Sequence, residues 1–211
     1  VWDESGHVVT NFHVVNGANS LSVTLLGGKT YPARFVGGDR TKDLAVLKIA
    51  VPEGEALTPL PRPAKDYELR VGQKTLAIGN PFGLDHTLTT GVVSALGREV
   101  VGFGGVTIRD MVQTDATINP GNSGGPLLNS AGELIGVNTM IYSSTGSSAG
   151  IGFAVPVATV TRVVPQLIEH GVPLRVGLGV SVVPDNITQA NGLRGVVIDR
   201  VPPNGPAAKA G

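Results

Sequence analysis

Glycine and proline place the strongest constraint on this chain. Of its 211 residues, 30 are Gly and 15 are Pro, and short runs rich in Val, Ile and Thr lie between them. Glycine frees the backbone for turns and proline removes a backbone donor, so such a chain folds into many short strands joined by tight turns. No stretch of 18 residues stays apolar, so no segment reads as a transmembrane helix. Apolar residues make up 41% and charged residues 15%, which supports a packed core and argues against disorder. The 16 Lys and Arg are balanced by 16 Asp and Glu. A neutral chain lacks the basic surface that meets phosphates, so nucleic acid is not expected as a partner, and polybasic attachment to a membrane is not indicated. The absence of Cys excludes disulfides, thiolate metal sites and a cysteine nucleophile. The histidines, His7, His13, His86 and His170, have no metal-ligand spacing, and nothing in the pattern calls for a metal or a cofactor.

The length fits one large domain, or one domain with a piece of another. Val1 to Gly6 carry no signal-peptide pattern, and the chain opens at once into strand-like sequence, so it is expected to begin inside a domain. The apolar runs predict strands near His7–Val15, Leu21–Leu26, Tyr31–Val36 and Leu44–Ala50, separated by Asn16-Gly17, Gly27-Gly28 and Gly37-Gly38-Asp39. Pro52, Pro59, Pro61 and Pro63 mark an irregular connection between two halves. A second set of strands is expected at Thr75–Gly79, Thr87–Leu96, Met111–Thr114, Pro126–Leu128, Leu134–Thr139 and Ile151–Val155, with a hairpin over Leu128–Leu134. One helix is predicted. Pro156 suits its first turn, Val157, Val160, Val164, Leu167 and Ile168 repeat at helical spacing, and Gly171 is placed to stop it. Pro165 should kink or restart it. The tail from Pro173, with a block at Val176–Val180 and a strand at Val196–Val201, is at the lower limit of length for independent folding and reads as part of a second domain.

Three segments carry the chemistry: Val9–Val15 around His13, Lys42–Leu47 with Asp43, and Asn119–Leu127 around Ser123. Gly121, Gly124 and Gly125 surround Ser123. A nucleophilic serine needs its hydroxyl presented on a tight turn, with neighbouring backbone N–H groups aimed at a developing oxyanion, and Gly121-Asn122-Ser123 can supply them. The plain alternative is a Gly-rich turn. The same residues also fit G-x-S-x-G, the nucleophile elbow of an α/β-hydrolase esterase. That reading needs a helix directly after the serine and a histidine late in the chain. Here Gly-Gly-Pro follows, and the late histidine, His170, is better placed to meet a helix dipole. The order His13, Asp43, Ser123 is the chymotrypsin order, and each of the three lies beside its own apolar strand.

These segments resemble the HtrA/Deg family of trypsin-like serine proteases. The matching stretches are Thr10–Val15, Asp43–Leu47, Ala77–Gly83, Gln113–Ala116 with Gly121–Pro126, and Gly150–Pro156, together running from residue 1 to about 170. Gly177–Val180 and Pro203–Gly211 resemble the first part of the family's PDZ domain, and Phe82–Gly91 leans toward plastid and cyanobacterial members. The resemblance implies an all-β fold: two six-stranded antiparallel β-barrels with the active site between them, a trypsin-like domain over residues 1–172 and a partial PDZ domain over 173–211. The family's strand and loop before the histidine segment are not in the sequence, and less than half of the PDZ pattern is present.

By the same resemblance Ser123 is the nucleophile, His13 the general base and Asp43 the residue that orients it, with Gly121, Asn122 and Ser123 forming the oxyanion hole. Digestive relatives carry an aspartate at position 122. Asn122 cannot form the corresponding ion pair with a freed N-terminus, so activation is expected to depend on loop ordering around residues 98–122. Ile118, Ile141 and Ile151 fall where family members line the pocket for the residue before the cut, which implies small or medium aliphatic residues there; core packing is the plainer reading of each. Ile151, Gly152 and Phe153 are expected to offer a strand edge to an extended substrate, and Leu178, Gly179 and Val180 to hold a peptide C-terminus. Gly28-Lys29-Thr30 resembles the end of a P-loop, but Val23 stands where the first glycine belongs. Asn186-Ile187-Thr188 is a formal glycosylation motif too common to carry weight. The expected function is endoproteolysis of unfolded or damaged proteins. The alternative is a chaperone or peptide-binding scaffold built on the PDZ domain and exposed strand edges. The expected partners are unfolded polypeptides and further copies of the chain in a homotrimer or larger homo-oligomer. The expected setting is extracytoplasmic, a bacterial periplasm or a thylakoid lumen, although a chain without Cys suits a cytosol equally.

Overall fold

The computed structural model describes residues 1–52, 54–80, 87–119, 121–141 and 150–211, the side chain of Ile141 excepted. Pro81, Phe82, Gly83, His86 and Pro120, which belong to the sequence motifs, lie outside the described residues. The chain divides into two compact units, Val1–Pro173 and Leu174–Gly211.

The first unit begins with an antiparallel sheet of four strands, β1 (His7–Thr10), β2 (Leu21–Thr24), β3 (Thr30–Asp39) and β4 (Leu44–Ile49), in the order β1-β4-β3-β2. Strand β4 is apolar on both faces because both are covered. Ala45 and Leu47 pack with Val15 and Val23 on one side, and Leu44 and Val46 enter the main core on the other. The second half holds β5 (Lys74–Gly79), β6 (Thr87–Val101), β7 (Thr107–Thr114), β8 (Pro126–Leu128), β9 (Leu134–Ile141) and β10 (Gly152–Pro156), closed into a barrel in the order β10-β7-β6-β5-β8-β9. Three register shifts between β6 and β7 bend that long pair around the barrel. Ala77, Val93, Val112, Leu127, Ile135 and Ala154 fill its interior.

The fold is thus mostly β, but the expectation of two six-stranded barrels holds for the second half only. Among the described residues the first half is a four-stranded sheet. Residues 1–50 supply four ladder-forming segments, and the connection that follows carries prolines, which have no N–H to donate to a ladder. A second correction falls at the histidine segment. The strand read as His7–Val15 ends at Thr10, and Phe12–Val15 form a helical turn, α1.

Helix α2 (Val157–His170) follows β10 directly, with Pro156 at its N-cap. It ends as the sequence implies: Gly171 takes φ 75° and its N–H returns to Leu167 O at 3.0 Å. Pro165 does not interrupt it. Pro165 and Thr161, whose carbonyl loses its partner there, are both exposed to water. The other face buries Val160, Val163, Val164 and Leu167 in one apolar cluster with Leu44 and Val46 of β4, Met111 of β7 and Val155 of β10. The C-terminal end of α2 approaches β3 closely at a pair of glycines. A Cβ at Gly37 would collide with the Gly171 backbone, and the Gly38 N–H donates to Gly171 O at 3.2 Å.

The second unit holds a two-stranded antiparallel pair, β11 (Ser181–Val182) and β12 (Ile198–Arg200), with two short helices, α3 (Asp185–Ala190) and α4 (Pro206–Ala210). No described helix is long and apolar enough to cross a membrane.

Two stability predictions follow from these contacts. Leu167 is fully buried, so Leu167→Ala should cost about 2–5 kcal/mol, whereas Thr161→Ala on the exposed face should stay within about 0.5 kcal/mol; urea unfolding measures both. The turn before β1 is acid-sensitive. Partial burial raises the Asp3 pKa, but hydrogen bonds from Ser5 Oγ (2.7 Å) and the His7 N–H (3.1 Å), the contact with His7 Nδ1 and the His7 charge outweigh it, and the value falls from 3.8 to about 2. A carboxyl whose pKa is depressed by folding contributes stability above its unfolded pKa and loses it as pH falls toward the folded value. The stability difference between the parent chain and Asp3→Asn should therefore be full at neutral pH and close between pH about 4 and about 2. A difference that does not change over that range would contradict the assignment.

Candidate active site

The reactive groups come from both halves of the first unit. Where β1 stops at Thr10, the chain turns through Asn11 into α1, which carries His13. Asp43 stands immediately before β4 with φ 51°, in the left-handed region that a non-glycine residue adopts at a cost of about 1–3 kcal/mol. In that conformation both carboxylate oxygens reach the His13 segment. Oδ1 accepts the His13 backbone N–H at 2.9 Å, and Oδ2 lies 2.6 Å from His13 Nδ1. The Asp43 side chain is 5% exposed and that of His13 is 23% exposed. The acid is thus shielded while the imidazole keeps a face toward the cleft.

Ser123 sits on the loop between β7 and β8. Gly121 takes φ 106° and the Asn122 N–H donates to Asn119 O at 2.9 Å. A positive φ of this size lies in the region that favours glycine. Gly124, at φ 82°, packs so closely on Thr10 that a Cβ there would collide with the Thr10 hydroxyl. The loop is held by Gly124 N–H to Asn138 O (2.8 Å), Asn138 N–H to Gly125 O (2.9 Å) and Asn80 N–H to Gly121 O (3.1 Å). Ser123 Oγ donates to the Thr139 carbonyl at 2.9 Å, and among the described residues it makes no bond to His13. The Ser123 loop thus packs on the segment that leads into His13, through Gly124 against Thr10, with the Ser123 hydroxyl turned onto β9.

The three residues read from sequence as an oxyanion hole are not equivalent. The Asn122 N–H is committed to Asn119 O, while among the described residues the N–H groups of Gly121 and Ser123 have no partner. The Asn122 side chain is buried and uncharged, and its Nδ2 donates to Thr117 O at 3.2 Å.

The residues read as a substrate pocket and edge fall differently from expectation. Ile118 is buried among barrel residues, so close to Gly152 that a Cβ there would stand 2.6 Å from Ile118 Cγ1. Ile151 is partly buried against the main core. Gly152 and Phe153 offer no free edge. They pair with Thr114 and Gln113 on β7 and with Ile141 and Met140 on β9. Among the described residues β8 pairs with β9 only as far as Pro126 opposite Val137, and Asn138 bonds to Gly124 and Gly125, so the edge of β9 is open beyond Asn138. Beyond Asn138, the side of β9 that faces Ser123 carries the Thr139 carbonyl. The Ile141 side chain lies outside the described residues. In the second unit, Leu178 O accepts the Ala207 N–H at 2.9 Å, and Gly179 takes φ 71° with Pro206 beside it. Val180 is partly buried.

Sequence reasoning missed three neighbours of the site. Asn11 is fully buried, and its Nδ2 donates to Asp43 O (2.8 Å) and Thr139 Oγ1 (3.2 Å). Its signal was its place two residues before His13. Thr139 gave no signal beyond lying on an apolar strand. Phe103, at the tip of the β6–β7 hairpin and 66% exposed, stacks toward the His13 ring at 6.3 Å between centroids. Nothing in the sequence links those two residues.

The family model of the trypsin-like peptidase domain matches residues 1–137, and the chain belongs to that family. Its relatives carry the names of one branch of it. It is 53% identical over 212 aligned residues to Protease Do-like 1, chloroplastic, of Arabidopsis thaliana, covering 100% of this chain and 48% of that protein. It is 44% identical to the periplasmic serine endoprotease DegP of Escherichia coli K12, covering 99% of this chain and 44% of that protein. The solved structure of the HtrA-type protease AlgW with a decapeptide superposes with a TM-score of 0.82 at 42% identity, covering all of this chain and 65% of that one. The chain thus spans about half the length of these curated relatives.

The loop geometry yields a prediction. Gly124→Ala combines a positive φ with a collision on Thr10, so it should destabilise the fold by more than about 1 kcal/mol and displace Ser123 with it. A thermal melt against the parent chain measures the effect, and a neutral result would contradict the described packing.

Proposed function

We propose that this chain is the proteolytic part of a serine endopeptidase that cuts unfolded or damaged polypeptides. The observation that carries the reading is the buried Asp43, which reaches the His13 backbone N–H and Nδ1 with its two carboxylate oxygens. In this mechanism the resting Ser123 hydroxyl is parked on the Thr139 carbonyl. An extended substrate laid along the open edge of β9 offers its own N–H to that carbonyl and so frees the hydroxyl to turn to His13 Nε2. Oγ then attacks the peptide carbonyl carbon while His13 takes the hydroxyl proton, and Asp43 stabilises the imidazolium that forms. The tetrahedral oxyanion points to the N–H groups of Gly121 and Ser123, with the Asn122 N–H holding the turn rather than the charge. His13 returns the proton to the departing amine. Water, activated by the same imidazole, then releases the acyl group from Ser123 and regenerates the enzyme.

The remaining parts of the reading rest on the resemblance and on the names of the relatives. Residues 1–172 act as the protease domain and 173–211 as the start of a PDZ domain. The second unit leaves Val176, Leu178 and Val196 largely exposed, which suits a piece whose apolar face is completed by further chain. Leu178, Gly179 and Val180 then belong to a peptide C-terminus site. Ile141 and Ile151 fall where the family lines the pocket for the residue before the cut, which favours small or medium aliphatic residues there. The assembled protein is a homo-oligomer in an extracytoplasmic compartment, the periplasm or a thylakoid lumen.

Cleavage of unfolded casein by the parent chain beside its Ser123→Ala variant tests the reading. The parent is expected to cut and the variant to be inactive with an unchanged melting profile. Equal turnover by both would overturn it.

A further inference from the structure

Asn11 breaks a local rule. It occupies the N-cap of α1, where an asparagine ordinarily turns its side chain onto the backbone N–H groups of the first helical turn. Here it makes no such bond. The side chain points inward and is fully buried, and both amide hydrogens are donated away from the helix, one to Asp43 O at 2.8 Å and one to Thr139 Oγ1 at 3.2 Å. Among the described residues its Oδ1 has no hydrogen-bond partner. The amide orientation is therefore set by the two donated bonds alone, and a flipped amide would face the Asp43 carbonyl with an oxygen. Rules of local structure are most often set aside at functional sites.

The two acceptors sit at the two ends of the candidate machinery. The Asp43 carbonyl belongs to the residue held at φ 51°, the conformation that sends both carboxylate oxygens to His13. Thr139 is the residue whose own carbonyl receives Ser123 Oγ at 2.9 Å. Its hydroxyl, after accepting from Asn11, donates to Val137 O at 3.0 Å and so is fixed on β9. One buried amide thus joins the strand that carries the acid to the strand that receives the nucleophile, across the boundary between the four-stranded sheet and the barrel.

We infer that Asn11 is a positioning residue for the proposed hydrolysis: it holds the Asp43 backbone in its left-handed conformation and sets the register of Thr139, and with it Ser123, against the His13–Asp43 pair. The inference rests on the proteolytic reading for its kinetic consequence, but not for its structural one. Asn11 touches neither substrate nor the reacting atoms; it acts through Asp43 and Thr139. A carboxylate at position 11 would keep the volume and lose both donors.

The test compares the parent chain with Asn11→Ala, Asn11→Asp, Thr139→Val and the Asn11→Ala/Thr139→Val double variant. Cleavage of a fluorogenic peptide, the melting temperature and the downfield proton resonance of the His13 Nδ1–H bond to Asp43 are measured for each. Asn11→Ala should lower kcat about 10- to 100-fold at an unchanged KM, the usual scale for a small misplacement of reacting groups. Asn11→Asp should do no better. The downfield resonance should weaken or move in both Asn11 variants and persist in Thr139→Val. The double variant should be no slower than Asn11→Ala, because the second arm is already lost. Unchanged kcat and an unchanged resonance in Asn11→Ala, with only the melting temperature lowered, would make Asn11 a packing residue and overturn the inference. Strictly additive losses would overturn the link between the halves. If Asn11→Ala does not fold, the size-matched Asn11→Asp takes its place, and a parent-like kcat in Thr139→Val then overturns the link. If the parent chain cuts nothing, the proteolytic reading has failed, and the resonance alone decides the role of Asn11.

Discussion

The apolar seam around α2 is what the rest of the first unit depends on. His13 and Asp43 lie in the half that holds the four-stranded sheet and Ser123 in the half that holds the barrel, so no local element can align them. The alignment comes from one cluster in which Leu44 and Val46 of the sheet, Met111 and Val155 of the barrel and Val160, Val164 and Leu167 of the helix are buried together. Burial is strong but non-directional, and it fixes two surfaces only to the tolerance of side-chain packing. The glycine contact at the end of the helix sharpens this, since Gly37 lets the Gly171 backbone sit directly on β3. The finer register passes to a hydrogen bond across the same boundary, from Asn11 to Thr139, whose carbonyl in turn receives Ser123 Oγ within the barrel half.

Within that frame the site is built from uncommon backbone conformations. Asp43 stands at φ 51°, Gly121 at 106° and Gly124 at 82°. The two glycines take these values at little cost, and each is required by a turn or a close contact. Asp43 has no such freedom, and its strain is offset by the His13 backbone bond, the Nδ1 contact and the Asn11 bond to its carbonyl. A charged acceptor makes the first two stronger than ordinary hydrogen bonds. The strain therefore persists only while the network does, and it converts an aspartate at a strand entrance into one that grips a histidine at two points.

What the sequence made legible was whatever is encoded within a few consecutive residues. Alternating apolar runs located most of the strands, the hairpin over Leu128–Leu134 formed with Asn129 closing its turn, and Gly171 stopped α2. The candidate residues could be singled out for the same reason: each lies in a short segment next to its own strand, and their order differs from that of an esterase elbow. What was not legible depends on distant partners. The break after Thr10 follows from Asn11 turning inward to Asp43 and Thr139, which are remote in sequence. The occupied edges of β10 follow from barrel closure, which seats it between β7 and β9 and leaves the open edge on β9. Ile118 looked like a pocket residue by position and is buried among barrel residues by packing. Phe103 stands beside His13 only because a long, bulged hairpin carries it across.

Asn122 shows how the loop that carries Ser123 is held without a buried charge. An aspartate there would need a cationic partner, because an unpaired buried carboxylate is costly. The amide needs none. It is anchored by its own N–H on Asn119 O and by Nδ2 on Thr117 O, and it packs against Gly79, where a Cβ would collide with it. Each neutral hydrogen bond contributes only about 0.5–1.5 kcal/mol net. The loop that presents Gly121 and Ser123 is therefore stabilised by several modest local bonds rather than by one strong ion pair. On the proposed function, a substrate that takes over the Thr139 carbonyl and meets the Gly121 and Ser123 N–H groups contributes free energy of the same order as the bonds that hold the loop. Ordering of the loop and binding of the chain to be cut are then parts of one equilibrium, which accounts for a site that can rest with its nucleophile turned away.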